Sequence, residues 1–137
     1  MAETGAGDAV LMADDDPVAL AQTARHLMDD VYRAPGQPLL RIALHCGQVH
    51  LHQHLHQRDS DLRSVIVGGE AVLCAARVEP LVTPGQIWAT EEFRQQFLQR
   101  PSLWRTTPVP APGGAEQFNA SKPGEPALWV RLYRLES

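Results

Sequence analysis

The chain has few cysteines, few aromatic residues and no charge excess large enough to define a partner. Its 137 residues include two cysteines, and aromatic residues make up 6%. Two thiols, Cys46 and Cys74, are too few for a disulfide framework. The opening MAETGAGDAV has neither the basic head nor the apolar run of a secretory leader. Reduced thiols in a cytoplasmic protein are therefore expected. No apolar run approaches the length of a bilayer span, so no membrane partner is expected. A basic stripe with interleaved aromatics is also missing, which argues against a nucleic-acid partner. The net charge is -4 with histidine neutral, and protonating the six histidines would reverse its sign in mild acid. Apolar residues reach 44%, which suits one domain with a modest core.

What is present is a run of strand and helix signals. AVLMA (9–13) reads as a short strand. Asp16 is placed to cap a helix and Pro17 suits its first turn. Leu20, Ala24, Leu27, Met28 and Val31 then make one apolar face of a helix over about 17–33. APGQP (34–38) ends it. LLRIALHCGQVHLH (39–52) reads as one long strand, with Gly47 marking a bulge or a close backbone approach. SVIVGG (64–69) makes a hairpin with it across the polar QRDSD (57–61). EAVLCAARVEPLV (70–82) is an Ala-rich helix ended by Thr83-Pro84-Gly85. QIWAT (86–90) is a buried strand. Thr90 caps a helix over 91–99, where Phe93 and Phe97 share a face. LWRTTPV (103–109) is a strand. PAPGGAEQFNASKPGEP (110–126) is a long Pro/Gly-rich loop within the domain. ALWVRLYRL (127–135) is the closing strand. Helices interleaved with strands and one clear hairpin imply a layered α/β or α+β domain spanning 1–137.

The least ordinary stretch is HLHQHLH (50–56). His50, His52, His54 and His56 stand two apart, so on a strand all four face one way. Neutral imidazoles bind Zn²⁺ or Ni²⁺. Successive same-face residues lie about 6.5–7 Å apart, so two can share an ion, but four on one flat strand cannot close a tetrahedron. A second chain would have to complete the site. The plainer reading is a solvated hairpin face. A third is a pH-sensitive contact between chains, since facing imidazolium groups repel.

Three blocks, in order, carry a family resemblance. LRIALHCG (40–47 with its leading Leu) is similar to a strand ending in His-Thr-Gly, with Cys46 in the Thr position. Gly69 to Glu79 is similar to Gly-Asp-x-Val-Asn-x-Ala-Ala-Arg-Leu-Glu. Pro84-Gly85-Gln86-Ile87 through Phe93 is similar to a Pro-Gly-x-Ile strand leading into a capped helix. Upstream, Gly7-Asp8-Ala9-Val10 matches a Gly-Asp turn before a helix, and ALWVRLYRL matches a last strand. Together these resemble the class III adenylate/guanylate cyclase catalytic domain. The resemblance implies an α+β sandwich of ferredoxin-like βαβ/βαββαβ type. It begins after the family's opening metal-binding strand, so the reading is of a shortened domain lacking that strand and the helices behind it.

The resemblance also implies which residues would carry the chemistry. The family holds two metal ions on a triphosphate with two carboxylates, and one ion helps deprotonate the ribose hydroxyl that attacks the α-phosphate. Here Asp8 fills the second carboxylate position and the first is missing. Arg77 fills the transition-state Arg position. Leu73, four residues before it, stands where the family has Asn. The purine-reading positions hold Thr4 and Ile66, and Glu3 fits the first only with a one-residue insertion. Lys122 corresponds to a late Lys that contacts phosphate. Each has a plainer reading beside this one: Asp8 as a turn residue, Arg77 as a helix-surface ion-pair partner, His45 as a structural residue, Cys46 and Cys74 as small packing groups.

With a metal carboxylate, the Asn and both base-reading residues replaced, positioning, charge stabilisation and recognition are all impaired. The expectation is a degenerate, non-catalytic cyclase-like domain acting as a dimerisation or regulatory module in signal transduction. It needs no cofactor and pairs as a homodimer or with a cyclase-like partner chain. One alternative is an active cyclase, with Mg²⁺ or Mn²⁺, as a fragment of a longer enzyme or with a partner-completed site. Another is a protein that binds nucleotide or metal without turnover, with Zn²⁺ at the histidine row.

Overall fold

The computed structural model describes residues 2–6, 9–31, 35, 39–55, 62–100 and 104–136, with the backbone alone for 2–6, 54–55 and 62–65. Ten strands and three α-helices are found among them. The centre is a mixed four-stranded sheet. Strand β3 (Ile42–Leu44) runs parallel to β6 (Ile87–Thr90). Strand β10 (Leu132–Glu136) pairs antiparallel with both β6 and β7 (Arg105–Pro108), giving the order β3-β6-β10-β7.

Alternation along β6 sorts the core onto two faces. Ile87 and Ala89 join Leu44, Leu135 and the buried faces of α1 (Pro17–His26) and α3 (Glu91–Leu98), which contribute Ala21, Ala24, Phe93 and Phe97. Trp88 points the other way, into a cluster with Leu132, Phe118, Val130 and the face of α2 (Glu70–Val78) made by Cys74 and Val78. Helices therefore cover both faces of the sheet, and the fold is α+β as expected.

Both predicted caps form. Asp16 Oδ1 accepts from Val18 N at 3.0 Å ahead of Pro17, and Thr90 Oγ1 accepts from Phe93 N at 3.4 Å. Two boundaries need correction. The helix expected over 17–33 keeps α-geometry only to His26 and continues as a wider π-turn over Leu27–Val31. Asp29 and Asp30 lie in that turn, where carboxylates oppose the negative end of the helix dipole.

The single strand expected over 39–52 is two strands, β3 and β4 (His50–Leu55), separated by 45–49. The break has a physical cause. Gln48 O accepts from Ala71 N at 3.1 Å, satisfying a helix-start N–H of α2 instead of a strand neighbour. Gly47 comes so near α2 that a Cβ there would sit 3.1 Å from Ala71 Cβ. Beyond the break, β4 pairs antiparallel with β5 (Leu62–Gly68), which is the predicted hairpin, with a register irregularity between His50 and Leu51.

A further strand, β1 (Ala2–Ala6), pairs antiparallel with β2 (Ala9–Ala13) and runs beside β5. Its sequence, AETGA, gives no strand signal. The Pro/Gly-rich 110–126 segment is also more ordered than a plain loop. It holds a 3-10 turn at Pro112–Gly114 and a short strand β8 (Phe118–Asn119). Strand β8 pairs with β9 (Trp129–Val130), so the expected closing strand is divided at Arg131. Buried Ala111, Phe118 and Ala120 pin the segment to the core. No helix among the described residues is long and apolar enough to cross a membrane.

Candidate functional site

Helix α2 carries Leu73 and Arg77, the two positions that the motif resemblance singles out. Its Ala71, Cys74 and Val78 are buried, which leaves Leu73 and Arg77 toward the outside. Leu73 is 52% exposed, an apolar side chain with no hydrogen bond to offer. Arg77 is mostly covered, and its cover is a carboxylate. Arg77 Nε donates to Glu125 Oε1 at 3.2 Å, and Nη2 donates to Glu125 Oε2 at 3.4 Å. Glu125 Oε1 also accepts from the backbone N–H of Lys122 at 3.0 Å. The Arg77 hydrogen bond, with help from the Lys122 N–H, holds the Glu125 carboxyl below the usual range.

The segment that delivers Glu125 is built for the purpose by its local sequence. Glu125 N bonds to Lys122 O at 3.1 Å across Pro123-Gly124, and Gly124 has φ +85°. Proline then positive-φ glycine at the two central positions is a type II turn. Below it, Asn119 Oδ1 accepts from Ser121 N, Ser121 Oγ and Leu128 N, and Ala120 N donates to Leu128 O. The structure thus brings Arg77 and the Lys122 turn together, with Glu125 between them. Sequence reasoning missed Glu125. The Lys-Pro-Gly-Glu turn was the readable signal, but nothing in the sequence said what the turn faces.

The other candidate positions are dispersed. Ile66, which the resemblance aligns with a base-reading position, is only 6% exposed and lies across from Leu51. Thr4 sits on β1 opposite Leu11, with Glu3 opposite Met12. Asp8 and His56 lie outside the described residues. Of the histidine row, His50 and His52 are exposed on β4, and His54 is opposite Arg63 in the register. Among the described residues, no group of three or more His, Cys, Asp or Glu is placed to hold a metal ion. The β4–β5 arm nonetheless presents apolar surface, since Leu51 is 49% and Val67 63% exposed.

A buried polar pair lies at the C-terminal end of β3. His45 Nδ1 is 2.7 Å from Thr90 Oγ1, the hydroxyl that caps α3, and 3.8 Å from Glu92 Oε2. Burial lowers the His45 pKa, and the charges of Glu92 and Glu70 only partly oppose this. The imidazole therefore acts as a neutral brace between β3 and α3, in line with a structural role. Cys46 and Cys74 are free thiols. Burial, with the charges of Glu92 and Glu70, pushes Cys74 up to about 11. Burial, aided by Glu92, also raises Cys46. Two surface recesses, of about 380 and 480 Å³, lie beside Arg25 and Arg134 and beside Trp129 and Arg131, away from Arg77.

No family model and no curated protein matches the chain. Among solved structures it is similar to the adenylyl cyclase CyaB from P. aeruginosa, with a TM-score of 0.50 and 19% sequence identity. The match covers 88% of this chain and 55% of that one, so the chain spans about half the length of the cyclase structure it resembles. The likeness is one of fold: the chain has the class III cyclase-like α+β fold that its motifs suggest.

Proposed function

We propose that this cyclase-like domain is non-catalytic and serves as a dimerisation or regulatory module in signal transduction. The observation that carries the reading is the carboxylate on Arg77. The Nε/Nη2 edge of the guanidinium is taken by Glu125, and the carboxylate's charge opposes the positive charge that Arg77 would offer to phosphorus. Leu73 and Ile66 support the same reading, one turn from Arg77 and on the hairpin. They put hydrocarbon where hydrogen bonds to a nucleotide are needed. The exposed Leu51 and Val67 on the β4–β5 arm favour a protein contact there, and a second copy is the simplest partner.

Incubation with ATP or GTP and Mn²⁺, read by mass spectrometry, tests the first half. No cyclic product is expected. Product that disappears in an Asp8→Ala, Arg77→Ala variant would overturn the proposal and point to a site completed by a partner. Sedimentation velocity at tens of micromolar tests the second half. A dimer is expected, weakened by Leu51→Asp, and monomer alone would refute it.

A further inference from the structure

We infer that Glu125 is a built-in anion plugging an oxyanion cradle. The cradle is made by the Arg77 guanidinium and the Lys122 backbone N–H, and the 119–128 hairpin is the latch that keeps the plug in place. This rests on the reading of Arg77 as withheld from substrate, and goes beyond it by saying what withholds it and what would release it.

Three donors converge on one carboxylate. Arg77 offers Nε and Nη2 side by side, the fork geometry that matches two oxygens of a carboxylate or phosphate. The Lys122 N–H adds a third donor at 3.0 Å. Arg77 itself is held by α2, with 19% of its side chain exposed, so two of the three donors are fixed on a rigid element. The plug is not. Glu125 is 42% exposed and hangs on a four-residue turn whose shape depends on Gly124 at φ +85°. Lys122, the chain's single lysine, begins that same turn, is exposed, and adds positive charge next to the cradle.

These differences make the contact a switch instead of a simple brace. The hairpin neck is anchored separately, by the Asn119 bonds and the Ala120–Leu128 pair, and by buried Phe118 and Val130. Glu125 can therefore leave Arg77 without undoing β8 and β9. An external phosphate or carboxylate presenting two oxygens meets the same three donors. It binds only in the fraction of molecules whose latch is open, so its apparent affinity is reduced by that fraction.

Calorimetric titration of the full chain with inorganic triphosphate and, separately, with citrate tests the latch at low ionic strength, where surface charge is least screened. Glu125→Gln is expected to tighten binding of one or both anions by about tenfold or more over the unsubstituted chain. Arg77→Gln in that background removes the gain. Gly124→Ala, which strains the turn without touching Arg77, shifts affinity in the same direction. Glu116→Gln is the charge-matched control, since Glu116 pairs with Arg131 elsewhere, and it should produce no gain. The anion that gains identifies the source chemistry. The latch is refuted if Glu125→Gln, still folded by circular dichroism, gains for neither anion. It is equally refuted if the gain survives Arg77→Gln or is matched by Glu116→Gln. These titrations involve no turnover, so a failed latch and a failed non-catalytic reading give separate signatures.

Discussion

Gly69→Ala should be among the most damaging single-methyl changes in the chain, and its cost can be worked from the geometry. Gly69 stands between β5 and α2 with φ +122°. A Cβ built there would lie 2.5 Å from Gln48 O and 3.0 Å from Val49 Cα. Both obstacles are backbone, so no rotamer change relieves them. Holding an alanine in this conformation costs about 1–3 kcal/mol. Pushing Gln48 away also weakens the Ala71 N to Gln48 O bond, worth about 0.5–1.5 kcal/mol. The total is about 1.5–4.5 kcal/mol. At roughly 3–5 °C per kcal/mol for a domain of this size, Tm should fall by on the order of 10 °C. Gly68→Ala is the internal reference, because Gly68 also has positive φ, +152°, but nothing lies within 4 Å of its would-be Cβ. Thermal and urea unfolding of the two variants isolates the close approach from the backbone strain. If Gly69→Ala were within about 0.5 kcal/mol of Gly68→Ala, the packing of the 45–49 crossing on α2 would be wrong, and with it the reason given for the broken strand.

Three further outcomes follow from the two faces of the sheet. Thr90→Val removes both the α3 cap and the His45 partner, and should cost about 1–3 kcal/mol in urea unfolding, while Thr90→Ser retains most of it. The folded His45 pKa lies below its unfolded value, so the neutral ring's contribution is intact above the ordinary histidine range. It drains away as pH falls through about 6.5 toward the folded value. An NMR titration should place the His45 midpoint below that of an unfolded peptide, and a midpoint at or above it would contradict the burial assigned to the ring. With Cys74 near 11, only about one thiol in a thousand is ionised at pH 8. Native Cys74 should react with iodoacetamide far more slowly than after denaturation, and equal rates would show that the α2 face is open.

The order of the elements was legible because its signals are local. A cap works through a neighbouring residue, as Asp16 does for Val18 and Thr90 for Phe93. Buried Phe93 and Phe97 declare a helix face one turn apart, and β6 is buried throughout, as its apolar Ile87-Trp88-Ala89 implies. The misses have a common cause. AETGA forms β1 only because β2 pairs with it residue for residue. The 39–52 run has strand propensity throughout and is still cut, because Gln48 O is claimed by Ala71.

The sequence by itself determined the α+β class, the helix starts and the β4–β5 hairpin. Each of these is set within a turn or two of chain, by residue type and spacing. Tertiary structure alone decided that Arg77 meets Glu125, 48 residues away, that His45 meets Thr90 across 45, and that Ile66 is buried. A sequence names every donor and acceptor but not the distances between them, and Coulomb and hydrogen-bond energies depend on those distances. Whether Arg77 offers its charge to a ligand or keeps it for Glu125 is therefore a property of the folded chain.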